Sequence, residues 1–169
     1  MTKNFNHGFQ EINKLLPKIK QHCDPNTSII INLIEAYIFF SKITVGINPQ
    51  ASFNKILDIE KKLLNIIPED HIFFEIVLYA KVFYYSTNQL TLEQAITCYE
   101  KLLVIMEKSQ GKYSTNYYET LVNMITLCFQ VMRSNVIYKH IDVFHEVALW
   151  VKVHTWDKNY FVQHMTMLT

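Results

Sequence analysis

The sequence predicts an all-α protein: a right-handed α-solenoid of about three helical hairpins, seven or eight helices in one domain over residues 1–169. Three observations predict it. Glycine and proline are scarce, at 3 and 4 residues, whereas an all-β chain of this size needs many turns and the residues that make them. Apolar side chains recur at i, i+3 and i+4 steps, the period of a helix face. A weak repeat is also visible. Glu35-Ala36-Tyr37 with Phe39-Phe40 returns as Tyr79-Ala80-Lys81 with Phe83-Tyr84, 44 residues on, and Gln50-Ala51 matches Gln94-Ala95 at the same offset. A period near 40 residues with two helices per unit is that of stacked helical hairpins.

Caps and breakers divide the chain into elements. A first helix spans roughly Phe9 to His22, kinked or divided at Pro17. It either caps the stack or is the second helix of an earlier repeat. Asp24-Pro25-Asn26 breaks the chain, and a second helix runs from about Thr27 to Val45, closed by Gly46 as its C′ residue. Asn48-Pro49 opens a third, to about Ile66, and Pro68 closes that turn. Asp70 is placed to cap a fourth helix reaching about Tyr85, with Ile72, Ile76, Tyr79 and Phe83 on one stripe. Thr91 and Gln94 have capping-box spacing for a fifth, to about Ser109, whose stripe is Leu92, Ile96, Tyr99, Leu103 and Met106. Gly111 marks the next turn, before a sixth helix from about Thr115 to Arg133. Ser134-Asn135 separates it from a seventh, about Val136 to His154, with Ile137, Ile141, Phe144 and Ala148 inward. Asp157 is placed to cap a short eighth. There Phe161, Met165 and Leu168 form a last amphipathic turn that caps the stack or pairs with another subunit. Short loops make sequential helices antiparallel neighbours.

Composition narrows the function. Half of the residues are hydrophobic, which excludes a disordered chain. The net charge of +1 argues against a nucleic-acid surface, which needs a concentrated positive field. Cys23, Cys98 and Cys128 are odd in number and widely spaced. That predicts buried thiols in a reducing, cytoplasmic setting. The most apolar run, Ile29 to Phe40, is interrupted by Asn32 and Glu35 and reads as too short and too polar to span a membrane.

No chemistry-bearing motif stands out. His140 and His145 are five apart, off the i, i+4 spacing that puts two metal ligands on one helix face, and His145-Glu146 lacks the second histidine of a zinc helix. Asp142 and Glu146 share a face that reads as solvated. Glycine-rich phosphate loops and nucleophile elbows are absent. The sequence therefore predicts no enzyme, no cofactor and no metal. The positive signal is polar residues inside apolar helices: Asn32 in IIINLIEAY, Lys81 in VLYAKVFYY and Asn123 in TLVNMITLCF. Each lies on the first helix of a hairpin, the helix that lines the concave side of a right-handed stack. An asparagine there offers a donor and an acceptor to the backbone of an extended peptide. Tyr37, Tyr79, Tyr84, Tyr117 and Tyr118 would add rigid amphipathic contact area. The ligand-binding set read from the sequence is Asn32, Lys81, Tyr84 and Asn123. The competing reading is that the asparagines are satisfied polar residues at helix crossings.

Two resemblances follow from these residues. Ala80, Phe83, Ala95 and Tyr99 resemble the small/aromatic pattern of tetratricopeptide-like repeats, with a longer spacing and no closing proline. The segment Leu57 to Tyr85 carries Lys-Lys-Leu-Leu-Asn-Ile and then Asp70-His71-Ile72-Phe73-Phe74-Glu75-Ile76-Val77-Leu78-Tyr79. With Leu121-Val122-Asn123-Met124-Ile125, it resembles the C-terminal regulatory domain of Rgg/GadR/MutR transcriptional regulators of Gram-positive bacteria. The likeness covers roughly residues 27 to 150. It implies a helical-repeat domain that dimerises and senses a short peptide or another intracellular signal. Asn123 falls on the family's helix asparagine and Glu75 on its glutamate, a residue expected to make a structural hydrogen bond or ion pair. Lys81 stands where the family often has asparagine. The family's DNA-binding helix-turn-helix is not among these residues. The resemblance thus implies either a piece of a longer regulator or a stand-alone domain with no DNA contact of its own. The alternative function is a helical-repeat adaptor or effector that binds a folded protein.

Overall fold

The structure is a computed structural model, and it describes residues 14–18 and 25–154. Every regular element among them is a helix. Residues 14–18 form α1. Then come α2 (Pro25–Thr44), α3 (Pro49–Leu64), α4 (Glu75–Ser86), α5 (Leu92–Gln110), α6 (Thr115–Gln130) and α7 (Ser134–His154). Single 3-10 turns at Ile72–Phe74 and Gln89–Thr91 lead into α4 and α5. The all-α class and the succession of helices agree with the sequence. Cys23, the expected eighth helix, and Phe161, Met165 and Leu168 lie outside the described residues. The chain divides into two compact units, residues 1–69 and 70–169.

In the first unit α2 and α3 form an antiparallel pair. Between them Gly46 sits at φ 74°, with its N–H donating to the Ile43 carbonyl (3.1 Å) and the Ile47 N–H to the Lys42 carbonyl (2.8 Å). These are the two closing bonds of a helix ending in a left-handed residue. Asn48 is also left-handed, at φ 44°, and Pro49 occupies the first helical position, where its missing N–H costs nothing. Ala36, Ile38, Ile43, Phe53, Ile56, Ile59 and Leu63 are buried. Leu16 of α1 is buried with Ile31 and Ile38.

In the second unit α4 to α7 pack in chain order, each on the next. Polar bonds also link helices two apart. Tyr79 Oη on α4 lies 3.3 Å from Thr120 Oγ1 on α6. At the other side Glu93 and Glu100 on α5 accept from Arg133 Nε, just before α7, and from Lys139 Nζ on α7, each at 2.7 Å. The core includes Phe74, Val77, Leu102, Met106, Tyr118, Leu121, Met124, Ile125, Val147 and Val151.

Local expectations differ from the structure at several points. Asp70 does not cap the fourth helix: it pairs with Lys108. His71 caps the 3-10 turn that leads into α4, its Nδ1 accepting from the Phe73 N–H at 3.3 Å, and α4 itself has no side-chain cap. The Thr91 and Gln94 capping box does not form. Thr91 ends a 3-10 turn, and its hydroxyl turns back to the Tyr85 carbonyl (2.7 Å) while Asn88 caps the turn. The fourth helix buries Val77, Leu78, Ala80 and Val82, whereas Ile72 and Phe83 of the expected stripe are exposed. Of the fifth-helix stripe, Leu92, Ile96, Leu103 and Met106 are buried and Tyr99 is half-buried.

The apolar run Ile29 to Phe40 lies within α2. The helix extends beyond that run, and the 18-residue window Thr27–Thr44, with mean hydropathy 1.3, is long and apolar enough by length and composition to cross a membrane.

Candidate functional site

The first unit carries an open cleft of about 470 Å³ where the early turns of α2 meet the end of α3. Antiparallel pairing brings these two ends together. On α2, Glu35 lies one turn on from the adjacent Ile31 and Asn32, and Lys62, Asn65 and Ile66 come from the last turn of α3 and just beyond. Asn32 is only 6% exposed, yet it lines the cleft. Its Nδ2 donates to the Ser28 carbonyl at 2.9 Å, one turn back, which fixes the side chain. One amide hydrogen and the carbonyl oxygen take no part in that bond. Lys62 sits at the C-terminal end of α3, where the helix dipole favours a cation. Glu35 places an anion on the same cleft.

The other three sequence-predicted ligand residues belong to the second unit. Lys81 and Tyr84 are half-buried on α4, and the Tyr84 ring meets Tyr85 edge-on at 6.0 Å. Tyr79 is the α4 residue that reaches α6, and helical geometry puts Lys81 and Tyr84 about 200° and 140° round the helix from it. They therefore share a face directed away from α6. Asn123 is exposed on α6, one turn beyond Thr120. Within this unit, then, Lys81 and Tyr84 come together and Asn123 does not join them. Tyr117 and Tyr118, expected as contact surface, are core residues. Both are buried, and Tyr118 stacks on Phe144 at 6.0 Å. Tyr37 is exposed, and Tyr79 is spent on the α4–α6 bond.

Glu75 makes the structural hydrogen bond expected of it, accepting from Ser109 Oγ at 3.3 Å, and burial raises its pKa. Cys98 and Cys128 are buried free thiols, and burial pushes the Cys128 pKa up to about 11. That keeps it protonated and unreactive at neutral pH. Among the described residues no three His, Cys, Asp or Glu side chains come close enough to hold a metal ion.

One cluster went unnoticed in the sequence. Glu146 on α7 accepts from Lys112 Nζ (2.8 Å) and from Tyr113 Oη, both in the loop between α5 and α6. The Tyr113 ring meets Trp150 at 5.9 Å, and Trp150 stacks on His154 at 4.8 Å. Sequence distance hid it, since its members come from a loop and from a helix more than thirty residues later. Comparison of the chain with family models, curated proteins and solved structures finds no significant match.

Proposed function

We propose that this chain is a ligand-sensing helical domain that binds a short peptide or peptide-like molecule and transmits its presence to a regulatory partner. The observation that carries this reading is the α2–α3 cleft, where Asn32 is nine-tenths buried, held by its own helix and still open to a ligand. Such preorganised amides lower the entropic cost of capturing a peptide backbone. The finer architecture we infer is a right-handed, tetratricopeptide-like stack of hairpins. The polar bonds at an offset of about forty residues in the second unit support it, because they join equivalent helices of successive hairpins. With the resemblance to Rgg-type regulators, the mechanism is a population shift. A ligand that favours one packing of the hairpins alters a dimer or an attached DNA-binding unit in the same cytoplasm.

Native mass spectrometry of the chain, with and without a peptide extract of its source culture, tests this. A discrete added mass, lost in Asn32→Ala but retained in Asn123→Ala, is the expected result. No added mass under any condition sinks the sensor reading.

A second reading has its own observation. Ile30, Ile34 and Tyr37 form an exposed apolar stripe on α2, spaced as helix anchors are. They favour a helical-repeat adaptor for a folded protein. That reading expects Tyr37→Ser to abolish partner capture while leaving the ligand mass unchanged.

A further inference from the structure

We infer that the α2–α3 cleft takes a small aliphatic zwitterion of di- or tripeptide size. This rests on the ligand-sensing reading above and goes beyond it by fixing the site and the ligand's chemistry. The cleft offers one cation, one anion, two amides and two isoleucines: Lys62, Glu35, Asn32, Asn65, Ile31 and Ile66. Opposite charges on one concave surface suit a ligand carrying both, and a dianion or a dication would meet repulsion at one end. The ligand's carboxylate sits on Lys62, whose ammonium is paired with no carboxylate among the described residues. Its ammonium sits on Glu35, a carboxylate with acceptor sites enough for a further donor.

The amides decide between a free amino acid and a peptide. A peptide unit presents one N–H and one C=O, the complement of an asparagine side chain, and an amino acid has no such unit. A dipeptide is therefore the smallest molecule that uses the two charges and the amides together. The cleft's volume of about 470 Å³ lies in the lower half of the range for small-molecule sites, roughly 300–1,000 Å³. Ile31 and Ile66 supply the apolar wall, so the ligand's side chains are aliphatic.

The test is titration of the ¹⁵N-labelled full chain with Leu-Gly-Leu, followed through the side-chain amide signals of Asn32 and Asn65. N-acetylated and C-amidated Leu-Gly-Leu and free leucine serve as comparison probes. A saturable shift of both signals is expected. It should weaken tenfold or more when either terminus of the peptide is capped, and in Lys62→Gln and Glu35→Gln. Lys61→Gln, a charge loss in the same helix turn, should bind as the parent does. This separates a ligand contact from a helix-dipole effect, and unchanged backbone spectra outside the cleft show that the variants are folded. Equal binding of capped and uncapped peptides overturns the charge assignment. A shift confined to α4 or α6 overturns the cleft as the site but leaves a peptide-binding chain standing. No saturable shift with any probe overturns the inference, and the mass measurement then judges the sensor reading separately.

Discussion

Met132 holds a side chain where the backbone asks for glycine. It stands at φ 57° just past α6, with the Arg133 N–H donating to the Cys128 carbonyl at 2.8 Å. Gly46 closes α2 with the same pair of bonds, so the chain solves one geometric problem with two residues. A left-handed conformation costs a non-glycine residue roughly 1–2 kcal/mol, and at 89% exposure the Met132 side chain returns little of it by packing. Met132→Gly should therefore stabilise the second unit, by about 1 kcal/mol once the added freedom of the unfolded chain is counted. Urea denaturation checks it, and an unchanged or lower midpoint counts against the argument. Tyr79→Phe tests the α4–α6 bond in the same way. Thr120 keeps its bond to the Asn116 carbonyl at 2.8 Å, so no buried group is orphaned, and the loss should be about 1 kcal/mol. At this scale the sequence was least informative. Asn32 was visible as a polar residue in an apolar run, but its bond to the Ser28 carbonyl depends on a rotamer. Tyr117 and Tyr118 read as ligand contacts in the sequence, whereas the packing of α6 covers both.

Helices were far more legible. Gly46, Pro49 and Gly111 mark ends that the structure places within a residue or two, because these residues act through local backbone geometry. Asp70 and Thr91 misled for the opposite reason, since a short polar side chain near a helix start has several partners within reach. The buried face of α4 differs from the expected stripe because α4 packs on α5 and on the 3-10 turns at its two ends, and one stripe does not describe several contacts. The interhelical ion pairs were not legible at all, yet they set the pH response. Asp70, Glu100 and Glu146 are each held below the ordinary carboxylate range, chiefly by hydrogen bonds from Lys108, Lys139 and Lys112 respectively. A carboxylate whose pKa falls on folding contributes stability above its unfolded pKa, and loses it as pH falls through the folded value. Glu75 has the opposite sign. Its raised pKa disfavours folding above the ordinary range, and acid relieves it. With three groups against one, the melting temperature should fall as pH is lowered from about 7 to about 3. Glu146→Gln should melt lower at neutral pH and show a shallower slope. A melting temperature that is flat or rising toward acid would mean these exposed pairs contribute nothing, as surface ion pairs often do.

At the scale of the whole chain, the two units differ in what holds them. The second is the larger, and its helices α4 to α7 pack in chain order, with the α5–α7 and α4–α6 bonds internal to it. The described residues of the first form one helical hairpin and α1. Ile30, Ile34, Tyr37, Leu64 and Ile66 are left exposed there, so a large share of its apolar surface contributes nothing to its folding. Smaller units bury a smaller fraction of the surface that unfolding exposes and are correspondingly marginal. A fragment of residues 70–169 should therefore fold alone, with helical circular dichroism and one cooperative melt close to the main transition of the full chain. Residues 1–69 alone should melt broadly at lower temperature or need a ligand to fold. The full chain should then depart from two-state behaviour, with an early transition belonging to the first unit. Limited proteolysis checks the boundary independently: cleavage is expected between Leu64 and His71, in the segment around Pro68 that joins the units. If 70–169 is unfolded by itself, its internal core is not sufficient and the division into units has no energetic meaning. If instead 1–69 is the more stable fragment, its exposed isoleucines must be covered in solution, and self-association at rising concentration would reveal what covers them. A marginal first unit is also what a sensor needs. A ligand in the α2–α3 cleft adds its binding free energy to the element with the least stability of its own, so the early transition is the one that should move when ligand is present.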